Sequence, residues 1–493
     1  MGEYETKEHD AFEGKRRQFT ALLEIERDEQ NEETGGWVIF DGFARTFSDE
    51  QIFDLLALRT TFNSLAKLFS GLAEYTGQWV SIEVASHAAA HSIPAEVVMF
   101  GDNTESIYLH ITSLTPAQLE PDEYRMLTLS GEARTPATFI AAILDFSLRA
   151  SGDLAAAAYD VGQGNCNAIV DQYEHPRVFF DLGWAPNFHS FTRPPSQPDF
   201  FACDRRTVAP VVLSHWDMDH WSYAIKRSAF NPTNLTTRHE WNAQALQRFW
   251  IGRAPQTKAH QIGPLAMSFY RELTKVHLFP GIPAMLLWPN NCRRIDFSEG
   301  WLEACDPPSH LPQDRNNTGI AMFVQPNRKG PAILMTGDAD FPSIPSLQTN
   351  KRLKLAGMIA PHHGSRITVA DVPKPLKRGP KKLVLSVGNG NVYGHPKQES
   401  IDAYQAKGWD WDVVATHQRQ TCPHTVALFP ATHSHLHGNV LLKFSPGAPD
   451  PKCGCGQVRQ GNLCLIPSHV VTSCPPSGTR KTYIRKKKTA VVP

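Results

Sequence analysis

Three features are scarce in this chain, and each scarcity excludes a class of protein. No run of eighteen apolar residues occurs among its 493 residues, so no membrane-spanning helix is predicted. The nine cysteines are an odd number and mostly scattered, which excludes a disulfide framework and predicts a cytoplasmic protein with reduced thiols. The first eighteen residues are polar and mixed in charge, so no secretory signal peptide is predicted.

The formal net charge is zero, because the chain has 49 basic and 49 acidic residues. The charged residues are, however, unevenly distributed along the chain. Basic runs occur at residues 374–382 and 485–488, and such runs are usually solvated loops or tails. They gain a role in binding only if the substrate is a polyanion. The length predicts two or three domains, each large enough for its own core.

The pattern of apolar and turn-forming residues divides the chain into three parts. Residues 1–151 are predicted to form a separate α+β accessory module, with a helix over about 43–76, β-like runs at 78–86, 95–101 and 106–114, and a second helix at 135–151. Residues 152–446 alternate short apolar strands with turns rich in Gly or Asp, the pattern of strands buried on both faces in an α/β domain. Residues 447–493 form a Cys-rich, basic tail that is predicted to be partly disordered.

The stretch "VVLSHWDMDHWSYA" carries the strongest chemical signal. An apolar strand ends at Ser214, and the following turn offers His215, Asp217, Asp219 and His220. Two imidazoles and two carboxylates this close would repel one another or lose hydration without a cation to compensate them. The stretch therefore predicts a metal site.

This stretch and several others resemble the motifs of a known family. "HWDMDH" is similar to the HxHxDH signature of the metallo-β-lactamase fold, with Asp217 in place of the second histidine. "FFDLG" at 179–183, "LMTGDAD" at 334–340 and "APHHGS" at 360–365 match the other motifs in order. "YDVGQGN" at 159–165 and "VGNGNVYGHP" at 387–396 resemble the soluble metallo-β-lactamase-like domain of the DNA-uptake protein ComEC. The resemblance covers roughly residues 154–445 and implies an αββα sandwich.

The resemblance also implies roles for individual residues. His215 and Asp217 would bind one metal, and Asp219, His220 and His362 a second, with Asp338 bridging the two. Asp219 and His395 would be catalytic, Asp219 by orienting the attacking hydroxide and His395 as a general acid or a donor to a phosphate oxygen. The expected substrate-binding residues are Asn316, Asn317, His363, Lys377 and Arg378. His362 is preferred to its neighbour as the metal ligand because it aligns with the family's strand-end histidine.

Two departures from the family pattern are visible. Asn165 replaces the family's usual aspartate, and "HWSYA" at 220–224 replaces the small, Gly-rich turn that usually follows the signature, with large aromatic residues at Trp216 and Trp221. The two tryptophans would lie at the rim, where they would either stack on a base or wall the site.

The carboxylate-rich set favours manganese or magnesium, with zinc as a third candidate. Two divalent cations suit a phosphodiester, because they neutralise charge that develops on phosphoryl oxygens. The first hypothesis is therefore a two-metal phosphodiesterase, a nuclease of DNA or RNA, with the basic loop at 374–382 on the nucleic acid backbone. The alternatives are a small-molecule metallohydrolase of a lactone, thioester, β-lactam or cyclic nucleotide, with a deep closed pocket, and a degenerate fold used for binding.

The remaining predictions concern partners and further metal sites. No membrane association is expected, and the N-terminal module is a candidate surface for a protein partner or for self-association. The tail holds Cys453, Cys455, Cys464, Cys474 and His469 within about twenty residues of one another, which raises the prospect of a structural zinc site. A histidine-rich stretch at 432–438 is a candidate for one further metal.

Overall fold

The computed structural model describes residues 14–27, 33–48, 51–69, 71–101, 105–149, 153–173, 175–194, 197–201, 208–255, 261–327, 329–350, 353–379, 381–388, 390–409, 414–416 and 439–445. The predicted zinc site of the tail and the histidine-rich stretch at 432–438 lie outside these ranges.

The first part of the chain folds into a closed β-barrel. Its six antiparallel strands are β1 (Arg16–Arg27), β2 (Gly36–Ser48), β3 (Gln51–Thr61), β4 (Gln78–Ala85), β5 (Ile93–Val97) and β6 (Tyr108–Pro116). They run in the order β3-β2-β1-β4-β6-β5, and β5 pairs back with β3 to close the barrel. Alternate side chains such as Phe19, Ala21 and Leu23 fill the interior.

The helix predicted over residues 43–76 is wrong, because β2, β3, a short helix α1 (Phe62–Ala66) and a 3-10 turn at Leu72–Tyr75 occupy the described part of this range. Strand β3 is buried on both faces: Leu56 and Leu58 point into the barrel, whereas Leu55 and Ala57 join the core outside it. A strand buried on both faces has apolar residues at all spacings, including the helical ones. At the ends of the two strands, Ser48 of β2 pairs with Gln51 of β3.

Two further helices follow the barrel. They are α2 (Pro121–Leu127) and α3 (Ala137–Leu148), and the second confirms the helix predicted at 135–151. A hairpin of β11 (Ile225–Asn231) and β12 (Thr236–Trp241) then extends the barrel sheet, because Thr237 of β12 pairs with Leu55 of β3. This sheet therefore draws on residues from both sides of position 151.

The rest of the chain forms two seven-stranded sheets. The first sheet has the order β16-β13-β10-β9-β8-β7-β24. Its strands are β7 (Ala155–Ala158), β8 (Cys166–Val170), β9 (Pro176–Leu182), β10 (Val211–Val212), β13 (Trp250–Gly252), β16 (Met285–Leu287) and β24 (Val440–Lys443). The second sheet runs from β17 to β23 in sequence order. Its strands are β17 (Arg294–Phe297), β18 (Gly300–Ala304), β19 (Ile320–Val324), β20 (Ala332–Met335), β21 (Leu355–Ile359), β22 (Lys382–Leu385) and β23 (Val414–Ala415).

The two sheets pack face to face and are covered on their outer faces. Their shared core includes Phe180 and Val212 from the first sheet and Met322 and Met335 from the second. Helix α5 (Pro264–Lys275) and the barrel cover the first sheet, and helices α6 (Pro345–Thr349) and α7 (Gln398–Ala406) cover the second. Helix α4 (Ala243–Leu246) and the hairpin of β14 (His277–Phe279) and β15 (Ile282–Pro283) complete the described elements. The α/β class is confirmed.

Strand direction brings the predicted motifs together. Strands β9 and β10 are parallel, and so are β20, β21 and β22. The motifs "HWDMDH", "LMTGDAD", "APHHGS" and "VGNGNVYGHP" lie at the carboxyl ends of β10, β20, β21 and β22, "FFDLG" contains the end of β9, and "YDVGQGN" follows β7. The carboxyl ends of parallel strands meet at one edge of a sheet. The motif residues from both sheets therefore converge at one end of the sandwich.

Candidate metal centre

The "HWDMDH" loop begins directly after β10 and turns back through a short 3-10 segment at Met218–His220. Its two histidine rings lie 4.0 Å apart, between centroids. Two glycines make room for it: a Cβ on Gly183 would lie 1.8 Å from the carbonyl oxygen of Asp219, and one on Gly164 would lie 2.9 Å from the same atom. The motifs around these glycines thus hold the loop backbone in place.

Five side chains from this loop and from the second sheet form two overlapping groups of potential metal ligands. Within each group the ligand atoms lie within 4.8 Å of one another, and His220 belongs to both. The groups are His215, His220 and Asp338, and Asp219, His220 and His363. Asp338 Oδ2 also lies 4.0 Å from His363 Nε2, so this carboxylate reaches toward both groups.

The imidazoles are fixed so that their Nε2 atoms face the centre. His220 Nδ1 donates to Asp181 Oδ2 at 2.9 Å, and His363 Nδ1 donates to the carbonyl oxygen of Ser386 at 2.6 Å. This is the arrangement of metal-bound histidines, whose second ring nitrogen donates to a carboxylate or a carbonyl. The Nε2 atoms of His215 and His220 are buried and make no hydrogen bond, so the residues present fit a bound cation.

The structure corrects the choice between the adjacent histidines of "APHHGS". His363 Nε2 lies 3.0 Å from Asp219 Oδ2, whereas His362 belongs to neither group of ligand atoms. Both histidines adopt positive φ, 47° for His362 and 54° for His363, and this sharp turn aims the second ring inward. His362 instead lines the pocket beside His395, with ring centroids 5.5 Å apart.

Asp217 is held by an arginine that the motif comparison did not single out. Arg315 Nε lies 2.8 Å from Asp217 Oδ1 in an ion pair, and its Nη2 is paired with Glu24 of the barrel strand β1. Asp217 Oδ2 remains 3.3 Å from His215 Nε2. The carboxylate predicted to bind the first metal is thus shared with a cation of the protein itself. The "DR" that precedes two asparagines was the only sequence signal for this pair.

Asn165, which departs from the family pattern, has a role in the centre. Its side-chain nitrogen lies 3.4 Å from Asp338 Oδ1. An aspartate at this position would repel the Asp338 carboxylate, whereas the amide donates to it.

The opposite charges of the histidines and aspartates in the centre shift the pKa values of both. Burial alone would lower the pKa of His220, but Asp338 and Asp181 reverse this and hold it well above the usual histidine value. Burial alone would raise the pKa of Asp338, but His220 and the other imidazoles hold it well below its usual range. Protons on the imidazoles therefore balance the carboxylates, and a divalent cation would displace those protons.

A cavity of about 900 Å³ lies over this centre, between the sandwich and the barrel. Glu24, Glu26 and Asp41 from the barrel line it, so the N-terminal part of the chain contributes to the site. Burial, with Glu24 nearby, raises the pKa of Asp41 to about 7. These three carboxylates were not among the predicted site residues, all of which lie beyond residue 151.

The other predicted site residues divide into three outcomes. Asn316 and His395 line the cavity, as does His363. Asn317 is buried, and its side-chain oxygen accepts hydrogen bonds from Asp340 N and Ser343 Oγ, so it stabilises the loop rather than contacting a substrate. Lys377 and Arg378 are exposed and do not line the cavity.

His395 is buried at the cavity wall, and its ring stacks with His363 at 6.5 Å between centroids. Burial, together with His362 and His363, holds its pKa well below the usual histidine value. The predicted role as a general acid requires a protonated ring, so the neutral imidazole fits a hydrogen-bond donor better.

The side chains of both tryptophans of the loop belong to the hydrophobic core. Trp221 is 1% exposed and stacks on Phe269 of α5 at 4.7 Å with an interplanar angle of 6°. Trp216 donates from Nε1 to the carbonyl oxygen of Arg253 at 2.7 Å. Both residues also line the cavity.

Comparison with known proteins shows no family. No protein-family model and no curated protein matches the chain. Among solved structures, a mutant of CmlA beta-hydroxylase matches with 11% identity and a TM-score of 0.30 over 83% of this chain and 75% of that one. A likeness this weak carries no argument about fold or chemistry. Among the described helices, none has the length and apolarity to cross a membrane.

Proposed function

We propose that this chain is a metal-dependent hydrolase of the metallo-β-lactamase fold that cleaves phosphodiester bonds in nucleotide substrates. The observation that carries the proposal is the pair of buried imidazoles, His215 and His220, whose Nε2 atoms make no hydrogen bond and lie 3.8 Å and 3.3 Å from Asp338 Oδ2. The two packed sheets with outer helices, and the ordered motifs at one end of them, support the proposed fold.

A metal would be held by either of two groups, His215, His220 and Asp338 or Asp219, His220 and His363. The one free nitrogen of His220 would bind a single cation, so with two cations bound the remaining residues would hold the second. When bound, divalent cations activate water and neutralise charge on phosphoryl oxygens. Because Asp217 is paired with Arg315, the free set has three imidazoles and two carboxylates. This mixed set accommodates zinc as well as the manganese or magnesium that the sequence favours.

The side chains of the centre hold the reacting groups in place. Asp219 lines the cavity with its Oδ2 3.0 Å from His363 Nε2, and its carboxylate can orient a water molecule there. His395, as a neutral imidazole, can donate a hydrogen bond to a phosphoryl oxygen. Arg315 places a guanidinium in the cavity wall, where a phosphate would meet it.

The shape of the site limits the substrate. The centre lies in a cavity, and the basic loop that carries Lys377 and Arg378 does not line it. A long duplex lying across the surface is therefore not what the geometry favours. We propose that the substrate is a strand end, a short oligonucleotide or a cyclic nucleotide.

The same observations favour a second candidate, a small-molecule metallohydrolase of a lactone or a thioester. A cavity that the basic loop does not line is what that hypothesis predicts. The cavity wall also carries more carboxylates than cations, which gives an anionic substrate no advantage apart from the metals.

Hydrolysis assays on the full chain separate the two candidates. The protein, loaded in turn with Mn²⁺, Mg²⁺ or Zn²⁺, is tested on bis(p-nitrophenyl) phosphate, cyclic dinucleotides, short DNA and RNA strands, a lactone and a thioester. We expect phosphodiester cleavage that falls about a hundredfold or more in Asp219→Asn. The matched control, Asp402→Asn on the exposed face of α7, should keep the wild-type rate. Cleavage of the lactone or the thioester alone would refute the phosphodiesterase proposal.

Metal content provides a test of the ligand assignment that does not depend on activity. His363→Ala should lower the amount of Mn²⁺ or Zn²⁺ retained after dialysis, as measured by mass spectrometry. His362→Ala should retain the wild-type amount. The opposite result would restore the assignment made from the sequence.

A further inference from the structure

One wall of the cavity is aromatic and continues from the metal centre to the barrel. Tyr393 lies 5.9 Å from His395 and 5.0 Å from His189, and His189 lies 4.7 Å from Phe188, between ring centroids. The Arg59 guanidinium then joins Phe188 to Trp37, at 4.4 Å and 3.4 Å from their ring centroids. The five rings of this aromatic wall all line the cavity: Trp37, Phe188, His189, Tyr393 and His395.

The aromatic wall contains polar atoms that have no partner in the protein. His189 is 2% exposed, and neither of its ring nitrogens makes a hydrogen bond. The indole nitrogen of Trp37 and Nδ1 of His395 are buried and unpartnered as well. Buried polar groups are almost always hydrogen-bonded, because leaving one unpaired costs free energy. A cluster of such atoms along one cavity wall indicates a ligand that pairs with them.

The protonation state of His189 defines what this ligand offers. Burial, with Arg59 nearby, lowers the pKa of His189 to about 3, so the imidazole is neutral at pH 7. A neutral imidazole has one donor nitrogen and one acceptor nitrogen. A partner for both must itself present a donor and an acceptor, as the edge of a nucleobase does.

We propose that the aromatic wall is a subsite for the base of a nucleotide whose phosphate lies at the metal centre. This inference rests on the proposed function and names its substrate class. The faces of the rings supply stacking surface, and the unpartnered nitrogens of His189 and Trp37 read the edge of the base. The wall reaches the centre through His395, whose ring stacks with His363. A base and its phosphate can therefore occupy the cavity together.

Three phosphate monoesters test the subsite by equilibrium binding to the full chain. Adenosine 5′-monophosphate carries a base, phenyl phosphate carries a ring with no polar edge, and ribose 5-phosphate carries neither. We expect adenosine 5′-monophosphate to bind about tenfold or more tightly than ribose 5-phosphate, from stacking on one base. Phenyl phosphate should fall between the two.

Two variants and a control separate stacking from edge recognition. His189→Phe keeps a ring of similar size and removes both nitrogens, so it should abolish the preference for adenosine 5′-monophosphate over phenyl phosphate. Trp37→Leu should weaken both aromatic ligands and leave ribose 5-phosphate unchanged. Phe191→Leu is the control, because Phe191 belongs to the same 3-10 segment as His189 but is 60% exposed and does not line the cavity.

The outcomes separate this inference from the proposed function. Equal binding of adenosine 5′-monophosphate and ribose 5-phosphate by the wild type would overturn the subsite, even if the protein hydrolyses bis(p-nitrophenyl) phosphate. An equal loss of all three ligands in His189→Phe would overturn it as well, since that loss would be structural. A tenfold preference without any phosphodiester hydrolysis would support the subsite and refute the proposed reaction.

Discussion

Arg315 is the residue that ties the barrel to the metal centre. Its guanidinium lies between Asp217 of the "HWDMDH" loop and Glu24 of the barrel, and all three side chains are at least two-thirds buried. Burial and the nearby Asp217 carboxylate both raise the pKa of Glu24, because each disfavours the negative charge of Glu24. The arginine compensates both carboxylates, and it also withholds one oxygen of Asp217 from a metal.

Replacing Arg315 with Met should therefore have opposite effects in the absence and presence of metal. Without metal, the loss of the shared cation should destabilise the protein by about 1–3 kcal/mol, less than for a fully buried pair because the three groups are partly solvated. With Mn²⁺, the freed Asp217 should bind the cation beside His215, so the Mn²⁺-induced rise in Tm should exceed that of the wild type.

Thermal melting with and without Mn²⁺, together with bound Mn²⁺ by mass spectrometry, measures both effects. Arg366→Met is the matched control, since Arg366 also lines the cavity but its side chain is 70% exposed and pairs with Glu399. An Arg315→Met variant with the wild-type Tm without metal and the wild-type response to Mn²⁺ would show that the pair does not restrain Asp217.

Individual residues show which parts of the site could be predicted from the sequence and which could not. His215, Asp219, His220 and Asp338 were placed by motif order, and the structure brings them together. The choice between His362 and His363 depended on two consecutive positive φ values, which no spacing rule encodes. The role of Arg315 could not be predicted from the sequence, because its partner Glu24 is 291 residues away in the chain.

Among the elements, the turn after strand β9 shows why the motifs occur as a set. Gly183 in "FFDLG" donates its N–H to the carbonyl oxygen of Asn165, and the N–H of Asn165 donates to the carbonyl oxygen of Asp219. Three motifs thus meet through their backbones beneath the metal centre. The position of the Asp219 carboxylate depends on this backbone contact.

Gly183→Ala should displace the loop, because the added Cβ would lie 1.8 Å from a backbone oxygen that cannot rotate away. We expect a loss of Mn²⁺ binding of at least about tenfold, comparable to the loss of a residue that orients metal ligands. The measurement is Mn²⁺ affinity by titration. Gly330→Ala is the control, since its Cβ would lie 3.1 Å from the nearest atom, on a loop away from the cavity. Wild-type affinity in Gly183→Ala would mean that the loop is not held by this contact.

The sequence predicted a strand correctly where only one face of the strand is buried, and it predicted a helix wrongly where both faces are buried. The runs at 78–86 and 106–114 became β4 and β6 of the barrel, and the helix at 135–151 became α3. Strand β3 has one face in the barrel and one against the sandwich, so its sequence lacks the alternation that identifies a strand. The tertiary packing that produced this ambiguity is not visible locally.

At the scale of the whole molecule, barrel and sandwich share one core. Leu22, Phe43 and Trp79 from the barrel belong to the same buried cluster as Phe179 and Val211 of the first sheet. The hairpin of β11 and β12 adds to this connection by pairing with β3. The barrel also supplies Glu24, Asp41 and Trp37 to the cavity, so the site is incomplete without it.

Residues 152–446 expressed alone should therefore fail to form the native site. Removing the barrel would expose the apolar face of the first sheet, and large exposed apolar patches cause aggregation. It would also leave the edge of β12 that faces β3 without a partner. We expect low solubility and a loss of near-ultraviolet circular dichroism, both restored by co-expressing residues 1–151 as a separate chain. If the fragment is instead a soluble monomer with the wild-type Mn²⁺ content and the full preference for adenosine 5′-monophosphate, the barrel is an independent domain and the aromatic wall needs no Trp37.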